Sequence, residues 1–543
     1  MKIVLAQINP TVGDILGNYK KIVTNISKFS LKADLIVFPE LSISGYPLED
    51  LVLKDGFLYE IKKFLEKLEK FCINKNIAVI LGAPLKENNS IYNAGIFLYK
   101  KKRKIIYKNK LPNYGVFDEK RVFRSGKKYN AIKYKSLNIG ILICEDMWFN
   151  SLPLNLKENG ANIFICINAS PYEKDKFTQR KTIAYKLAMK TKVPIVYLNQ
   201  VGGQDELVFD GNSFFMDTKG NILQKCNAWK EDLKIIKYPE IINNKTNNNN
   251  YIEELPEFNT WSALTLGLRD YFLKNSFRKI ILGLSGGIDS AVSAAIAVDA
   301  VGSKNVVGIL MPSKYSSKGS LNDAKQTAKL LKIKTNIFNI GDIHKVFYKN
   351  LSNHFSKKVK SITDENIQSR IRGSILMAYS NNYSYLLIST GNKSEISVGY
   401  STIYGDMNGG FNAIKDIYKT DLYNLAIWRN QNNIRYFYGP PGEVIPQNSI
   451  TKSPSAELRH NQKDTDSLPS YDELDKILYL LIEKEYSIKD IVKKGFKIST
   501  VQRISGLLLK SEYKRRQAPP GVKLSLKAFG KERRYPITNK FEN

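Results

Sequence analysis

The sequence predicts an α/β protein with two large domains, on three observations. Its 543 residues exceed what one hydrophobic core usually serves, since single cores stop growing at roughly 250 to 300 residues. Short β-branched apolar runs alternate with longer segments of helical spacing. A polar, asparagine-rich stretch over 243–250 lacks side chains that could pack. We therefore predict domains over 1–242 and 258–543, joined by a linker over 243–257.

The first domain contains six short apolar runs, which predict buried strands because they are rich in β-branched residues. The predicted strands cover residues 2–8, 34–38, 77–83, 137–143, 162–168 and 193–199. Helical spacing is present over 57–76 and 177–192. Alternation of the two kinds of segment predicts a layered α/β domain.

The second domain begins with a predicted helix over 258–273 and a strand over 279–284. A glycine loop follows, then a helix over 289–301 and a strand over 306–311. Strand, loop, helix and strand form a βαβ unit, which predicts a doubly wound parallel sheet.

Composition excludes several classes of protein. No run approaches the about 20 apolar residues of a membrane-spanning helix, so we expect no membrane partner. The net charge of +32 comes from lysines spread along the whole chain, and we expect no nucleic-acid partner. The cysteines contain no C-x-x-C pair, which argues against a zinc site and a disulfide framework and predicts a cytoplasmic protein. They are Cys72, Cys144, Cys166 and Cys226.

The loop from Ser285 to Ser290 has the features of a polyphosphate site. Its paired glycines let backbone N–H groups converge on an anion, and the following helix directs its positive N-terminus to the same place. No lysine follows the second glycine, so this is not a Walker A loop. The serines and Asp289 suit a magnesium-bound pyrophosphate. The alternative is an ordinary turn between strand and helix.

The loop resembles the signature of the ATP-pyrophosphatase superfamily, whose members activate a carbonyl by adenylation and release pyrophosphate. Further segments resemble the NAD synthetase pattern: 365–373, 390–395, 404–407, 454–458 and 533–537. This resemblance spans nearly the whole second half. It implies a Rossmann-like domain of the adenine nucleotide α-hydrolase type.

The resemblance also implies roles for individual residues, with Mg²⁺ as cofactor and ATP and deamido-NAD as substrates. ATP would be held by Gly283, Leu284, Ser285, Gly286, Gly287, Ile288, Asp289, Ser290 and Thr390. Asn366, Glu395 and Lys514 would contact deamido-NAD, and Asp289 and Glu395 would bind the metal. Arg370 and Arg372 fit this pattern but equally fit a helix surface or ion pairs.

The first domain places three functional groups at or after predicted strand ends: Glu40, Lys110 and Cys144. Each type is common alone, but α/β domains concentrate catalytic groups at such positions. The three histidines of the chain all follow residue 340, so a hydrolytic site in this domain must work without a histidine base.

The set resembles the Glu-Lys-Cys triad of the nitrilase, or carbon–nitrogen hydrolase, superfamily, and in particular the glutaminase domain of glutamine-dependent NAD synthetases. The resemblance implies a nitrilase-like α-β-β-α sandwich. Glu40 would take the thiol proton while Cys144 attacks the glutamine carboxamide, and Lys110 would stabilise the oxyanion. A lysine beside the thiol would also favour the thiolate.

The same resemblance implies that Tyr114, Ser170 and Lys176 bind glutamine, and that Glu119 is a supporting carboxylate. Lys176 could instead be a solvated surface lysine.

The whole pattern predicts a ligase that makes NAD from deamido-NAD and glutamine-derived ammonia, releasing AMP and pyrophosphate. We expect an ammonia channel, because free ammonia would be lost or protonated in water, and a homo-oligomer. One alternative is an amidotransferase of the same loop superfamily that modifies transfer RNA; it would need an RNA-binding appendage or cysteines near the second domain. A second is a decayed binding module, against which Glu40, Lys110 and Cys144 together argue.

Overall fold

The structure is a computed structural model that describes residues 1–127, 130–243, 254–355, 359–432 and 434–541. It divides into two compact units, Met1–Glu253 and Glu254–Asn543. Of the predicted linker, residues 244–253 lie outside the described residues.

The first unit consists of β-strands and helices in mixed order. Its strands are β1 (Lys2–Gln7), β2 (Leu35–Val37), β3 (Ala78–Glu87), β4 (Ser90–Tyr99), β5 (Lys102–Tyr107), β6 (Ile132–Tyr134), β7 (Leu137–Ile143), β8 (Ile163–Asn168), β9 (Ile195–Asn199), β10 (Val201–Gln204), β11 (Leu207–Asp210), β12 (Phe214–Met216), β13 (Ile222–Lys225) and β14 (Asp232–Lys237). Its helices are α1 (Ile15–Phe29), α2 (Asp55–Ile73), α3 (Glu119–Val122), α4 (Ser151–Glu158), α5 (Lys176–Thr191) and α6 (Glu240–Asn243), with 3-10 turns at Glu49–Leu53 and Cys144–Trp148.

Two six-stranded sheets form the body of this unit. One has the order β14-β1-β2-β3-β4-β5 and the other β13-β12-β9-β8-β7-β6. The central pairs are parallel: β1 with β2, β2 with β3, β7 with β8, and β8 with β9. The outer pairs are antiparallel. Glu40 and Cys144, which follow β2 and β7, therefore lie beyond the carboxyl ends of parallel strands.

Side-chain alternation explains how the sheets stack. In β1, Ile3 and Leu5 belong to the core between the sheets, together with Ile139 and Ile165 of the second sheet. Val4 and Ala6 point the other way, into a core with residues of α1 and α2. A third core lies between the second sheet and helices α4 and α5. The result is the expected α-β-β-α sandwich, and burial of both faces explains the continuous apolar runs.

All six predicted strands of this unit exist, with ends displaced by a few residues. The other eight strands that the structure describes in this unit, β4 to β6 and β10 to β14, were not predicted. β5 is a lysine-rich edge strand with an exposed beginning, and charge on an edge weakens the apolar signal while protecting the edge from aggregation.

The second unit has a small parallel sheet with many helices. Its strands are β15 (Ile280–Gly283), β16 (Val306–Leu310), β17 (Lys334–Ile337) and β18 (Leu386–Leu387). Its helices are α7 (Pro256–Lys274), α8 (Ile288–Val301), α9 (Lys318–Leu331), α10 (Gly341–His354), α11 (Ser361–Tyr383), α12 (Lys393–Val398), α13 (Lys419–Gln431), α14 (Gln447–Thr451), α15 (Tyr471–Ile482), α16 (Ile488–Val492), α17 (Ile498–Lys510) and α18 (Glu512–Arg515), with 3-10 turns at Ser303–Asn305 and Asp464–Asp466.

The sheet order is β17-β16-β15-β18, and every pairing is parallel. The chain runs outward from β15 to β17 and then returns to place β18 on the other side of β15. In such sheets ligands bind where the strand order reverses, outside the carboxyl ends of the strands. The glycine loop after β15 and Thr390 after β18 lie at that position. The predicted doubly wound parallel sheet is confirmed.

Helices α12, α15, α16 and α17 form a separate apolar core beside the sheet. Within the described residues, no helix combines the length and the apolar character needed to cross a membrane.

Candidate active sites

The first site is built on strand ends of the first unit. Glu40 follows β2, Lys108 directly follows β5, and Cys144 directly follows β7. The ammonium of Lys108 donates to Oε1 of Glu40 at 2.8 Å and to Oε1 of Glu119 at 2.7 Å. Glu40 and Lys108 are 0% and 1% exposed and Cys144 is 5% exposed, so this cluster is nearly closed to water. Interactions between charges are strong in such surroundings.

The structure places the ammonium of Lys108, and not that of the predicted Lys110, against Glu40. The Lys110 ammonium lies over the Phe149 ring, 5.1 Å from its centroid. Lys110 contributes its backbone N–H, which donates to Asp146. Residues 108 and 110 are both lysines in the same loop, so residue type could not distinguish them. Position could have distinguished them only if β5 had been predicted, since Lys108 is the first residue after that strand.

Glu40 is held by three donors. Asn93 Nδ2 donates to Oε1 at 2.7 Å, in addition to Lys108, and the Ala169 N–H donates to Oε2 at 2.8 Å. This fixes the carboxylate in one orientation, as required of a base that must receive a proton at a defined point.

Glu119 is a second buried carboxylate on Lys108. Tyr46 Oη also donates to its Oε1, at 3.0 Å. Burial raises the pKa of Glu119 to about 7, and the charge of Glu40 adds to this rise while Lys108 opposes it. Glu119 therefore titrates near neutral pH in the folded protein.

Cys144 has a backbone φ of 47°, a left-handed conformation that costs energy for a residue other than glycine and is frequent at functional sites. Burial raises the pKa of its thiol well above the usual range, Glu40 and Glu145 raise it further, and Lys108 lowers it. Lys108 thus favours the thiolate, as a neighbouring lysine is expected to do, but burial outweighs its effect on the pKa.

Two of the residues predicted to bind glutamine, Tyr114 and Lys176, act on Glu145, a carboxylate that was not predicted as a site residue. Tyr114 Oη donates to both oxygens of Glu145, at 3.0 and 3.1 Å. The Lys176 ammonium pairs with Glu173 at 2.8 Å, lies over the Trp148 ring, and lowers the pKa of Glu145 by its charge. Burial is the larger effect and raises the pKa of Glu145 overall.

Ser170 is buried, and its hydroxyl oxygen accepts from Arg180 Nε at 3.1 Å. Because a guanidinium only donates, the Ser170 hydroxyl proton can be directed to another acceptor. Arg180 itself pairs with Asp210 at 2.7 Å in the core.

The second site begins with the glycine loop. Gly286 has a φ of 83°, and a Cβ on it would lie 2.2 Å from the backbone oxygen of Ser320. Only glycine fits there. The Ser285 and Ser290 hydroxyls are 3.1 Å apart, and Ser290 Oγ donates to the Gly287 carbonyl at 2.9 Å. The loop opens directly into α8, which leaves the first N–H groups of this helix available to an anion.

A cavity of about 530 Å³ lies over this loop. It is lined by all the predicted ATP and deamido-NAD residues, namely 283–290, Asn366, Thr390, Glu395 and Lys514. Its size is in the range of small-molecule sites. The structure thus brings together residues that are more than 200 positions apart in the sequence.

Two predicted residues of this cavity have defined partners. Asn366 Oδ1 accepts from Thr402 Oγ1 at 2.9 Å, and the Lys514 ammonium donates to the carbonyls of Gly399 and Ser401 at 2.7 and 2.6 Å.

Of the two arginines, Arg372 lines the cavity and donates to the Met311 carbonyl at 3.1 Å. Burial lowers its pKa to about 10. Arg370 is exposed and donates to the Ile403 carbonyl at 3.3 Å.

Asp289 and Glu395, the predicted metal ligands, share one cation in the structure. The Lys419 ammonium lies 2.5 Å from Asp289 Oδ2 and 3.2 Å from Glu395 Oε1. Asn392 Nδ2 holds Asp289 Oδ1 at 2.7 Å. Burial raises the pKa of Glu395 to about 8, with Lys419 opposing and Asp289 adding to the rise.

These carboxylates fit a magnesium ion. Their oxygen atoms are the kind of ligand that Mg²⁺ prefers. The two carboxylates also already face one positive charge, that of Lys419. Among the described residues, no three or more acidic, histidine or cysteine side chains form a preformed metal cage. Mg²⁺ is usually held by one or two carboxylates together with substrate phosphates, so a pair suffices. Lys419 had no sequence signal, because it lies 130 residues from Asp289.

Each of the two units matches a known protein family. The family model described as carbon-nitrogen hydrolase matches residues 2–240, and the model described as NAD synthase matches residues 260–518. The chain is 40% identical to the glutamine-dependent NAD(+) synthetase of Thermotoga maritima, across 100% of this chain and 99% of that protein. It is 41% identical to the enzyme of that name from Aquifex aeolicus, across 100% of both.

Among solved structures, the chain is similar to the glutamine-dependent NAD+ synthetase of Acinetobacter baumannii in complex with ADP. The identity is 38% and the TM-score 0.78, over 99% of this chain and 98% of that one. The corresponding structure from Cytophaga hutchinsonii, 21% identical with a TM-score of 0.81 over 99% of this chain and 98% of that one, shares the fold.

Proposed function

Because this chain belongs to the glutamine-dependent NAD(+) synthetases, we propose that it converts deamido-NAD to NAD, with ATP as energy source and glutamine as nitrogen donor. The observation that carries the proposal is the buried pair of Glu40 and Lys108, whose charges both act on the Cys144 thiol. The nucleotide cavity around Asp289 supplies the second half of the reaction.

The glutaminase steps follow from this arrangement. Glu40 takes the thiol proton as the sulfur of Cys144 attacks the carboxamide carbon of glutamine. Lys108 donates two of its three N–H bonds to Glu40 and Glu119. The third N–H bond can donate to the developing oxyanion. Glu40 returns the thiol proton to the leaving nitrogen, so that ammonia departs and a thioester remains on Cys144. Glu40 then activates a water molecule, which releases glutamate and restores the thiol.

Recognition of glutamine is assigned to the groups around Glu145. The carboxylate of Glu145, held by Tyr114, suits the α-ammonium of the substrate. Ser170 and Lys176 are donors that suit its α-carboxylate. Charge-assisted hydrogen bonds to both charged groups on the α-carbon would orient the carboxamide toward Cys144.

In the second unit, the glycine loop and the start of α8 hold the phosphates of ATP, with Thr390 at the same site. Asn366, Glu395 and Lys514 position deamido-NAD. Its carboxylate attacks the α-phosphate, pyrophosphate leaves, and ammonia then displaces AMP from the adenylate. Mg²⁺, held by Asp289 and Glu395, would neutralise phosphate charge when bound. We further propose that ammonia passes to this site without equilibrating with solvent, where it would be protonated.

The test is incubation of the purified chain with deamido-NAD, ATP, Mg²⁺ and glutamine, following AMP and NAD. NAD should form with glutamine, and equally with ammonium salts. Cys144→Ala should lose synthesis from glutamine and keep synthesis from ammonia. Cys226→Ala, which changes another buried cysteine of the same unit, is the matched control. No NAD with either nitrogen donor would reject the substrate assignment.

We also propose that the protein forms a homo-oligomer and that it is located in the cytoplasm. A homo-oligomer can be tested by light scattering on the purified chain. A cytoplasmic location agrees with the four cysteines, which are all unpaired in the structure.

A further inference from the structure

Asp146 connects the two chain segments that carry Lys108 and Cys144. Its side chain is fully buried. Oδ1 accepts from the backbone N–H of Asn109 at 3.0 Å and of Lys110 at 2.8 Å. Oδ2 accepts from the backbone N–H of Ile143 at 3.2 Å. One carboxylate therefore binds the two residues that follow the lysine and the residue that precedes the nucleophile.

This connection matters because of the sheet topology. β5, which ends next to Lys108, is the edge strand of one sheet, whereas β7, which ends next to Cys144, belongs to the other. Within the part of the chain that the structure describes, no strand pairing joins the two sheets and sets the distance between these ends. Interactions between sheets are mostly apolar contacts, which are not directional. Hydrogen bonds from an ionised carboxylate to backbone N–H groups are directional and strong.

We propose that Asp146 is a positioning residue of the glutaminase site, which sets the place of the Lys108 ammonium relative to the Cys144 sulfur. The proposal rests on the roles assigned above to those two residues. Errors of about 1 Å in the placement of a catalytic group can cost on the order of 100-fold in rate. A tie between two separate sheets is the kind of contact that prevents such errors.

The charge state of Asp146 agrees with this role. Burial raises its pKa to about 6. The three N–H donors and the charge of Lys108 oppose this rise. The carboxyl group is therefore ionised at pH 7.5, where both of its oxygens can accept hydrogen bonds.

The experiment compares Asp146→Asn and Asp146→Ala with Asp217→Ala. Asp217 is also buried in the first unit and also accepts two backbone N–H bonds, from Lys219 and Asn221 at 2.8 Å each, but within a single turn. It is therefore a control for the loss of a buried carboxylate that holds backbone. For each full-length variant we would measure kcat and KM for glutamine, and NAD synthesis from ammonia.

We expect kcat with glutamine to fall roughly 10- to 100-fold in Asp146→Ala, since the lysine loop loses its fixed position. Asp146→Asn keeps one oxygen for Asn109 and Lys110, so its loss should be smaller. KM for glutamine should stay within about twofold in both, because the hydrogen bonds of Asp146 go to backbone groups and not to the side chains assigned to glutamine binding, and synthesis from ammonia should be unchanged. Asp217→Ala should keep the wild-type kcat.

Wild-type kcat in both Asp146 variants would overturn the proposal, as would a rise in KM without a fall in kcat, or an equal loss in Asp217→Ala. If Asp146→Ala does not fold, the kcat of Asp146→Asn decides. A wild-type chain that makes no NAD from glutamine would instead refute the proposed function, so the two failures are distinguishable.

Discussion

The ammonium of Lys108 lies 2.8 Å from Oε1 of Glu40, with both side chains buried beside Cys144. Removing one member of such a buried pair leaves an uncompensated charge, which usually costs about 3 to 5 kcal/mol. The pair therefore contributes to the stability of the fold as well as to the proposed reaction. For variants at this site, both the melting temperature and the rate must be measured.

Lys108→Met should abolish glutamine-supported synthesis, since the oxyanion loses its ammonium, and should lower the melting temperature. Ammonia-supported synthesis should survive in protein that remains folded. Lys110→Met is the matched control and should keep nearly wild-type activity, because the side chain of Lys110 lies over Phe149. Steady-state rates with each nitrogen donor and a thermal melt provide the measurement. The reverse result, loss in Lys110→Met alone, would restore the sequence-based assignment.

Glu119→Gln should make stability depend on pH differently from wild type. The pKa of Glu119 is raised in the fold from 4.5 to about 7, so its contribution is present below pH 4.5 and is lost as the pH rises to about 7. Since one pKa unit is 1.36 kcal/mol, the loss approaches about 3 kcal/mol. The melting temperature of the variant, relative to wild type, should therefore rise between pH 5 and pH 8. Glu158→Gln, at an exposed position, should show a constant difference. A constant difference in Glu119→Gln as well would contradict the pKa assignment.

Glu145→Gln should raise KM for glutamine by roughly 10- to 100-fold with a smaller change in kcat. The reason is loss of one charge-assisted hydrogen bond to the substrate ammonium, which contributes about 1.5 to 3 kcal/mol. Initial rates at varied glutamine would show this, with ammonia-supported synthesis unchanged. An unchanged KM would remove Glu145 from the glutamine site.

Asp289→Asn should weaken synthesis from both glutamine and ammonia, because the shared nucleotide site is altered. Loss of one carboxylate should also raise the Mg²⁺ concentration needed for half-maximal rate. A magnesium titration at saturating ATP is the measurement, and Asp342→Asn, at a nearly fully exposed aspartate of α10, is the control. An undiminished rate with unchanged magnesium dependence would exclude Asp289 as a metal ligand.

Local pattern was enough to predict much of this protein. Buried strands appear as short apolar runs, so the strands before Glu40, Cys144 and the glycine loop were all predicted from sequence. The glycine loop was predicted as a phosphate site because its paired glycines lie between a predicted strand and the N-terminus of a predicted helix. Because the sequence has no histidine before residue 340, it favoured Glu40 as the base.

Tertiary structure alone decided which lysine of the loop turns inward, and it selected Lys108. It also showed that Asp146 ties strand ends of two sheets, and that Lys419 lies between Asp289 and Glu395. The physical reason is the same in each case. Sequence periodicity reports whether a residue is buried, whereas the partner of a buried charge depends on how distant strands and helices are ordered in space.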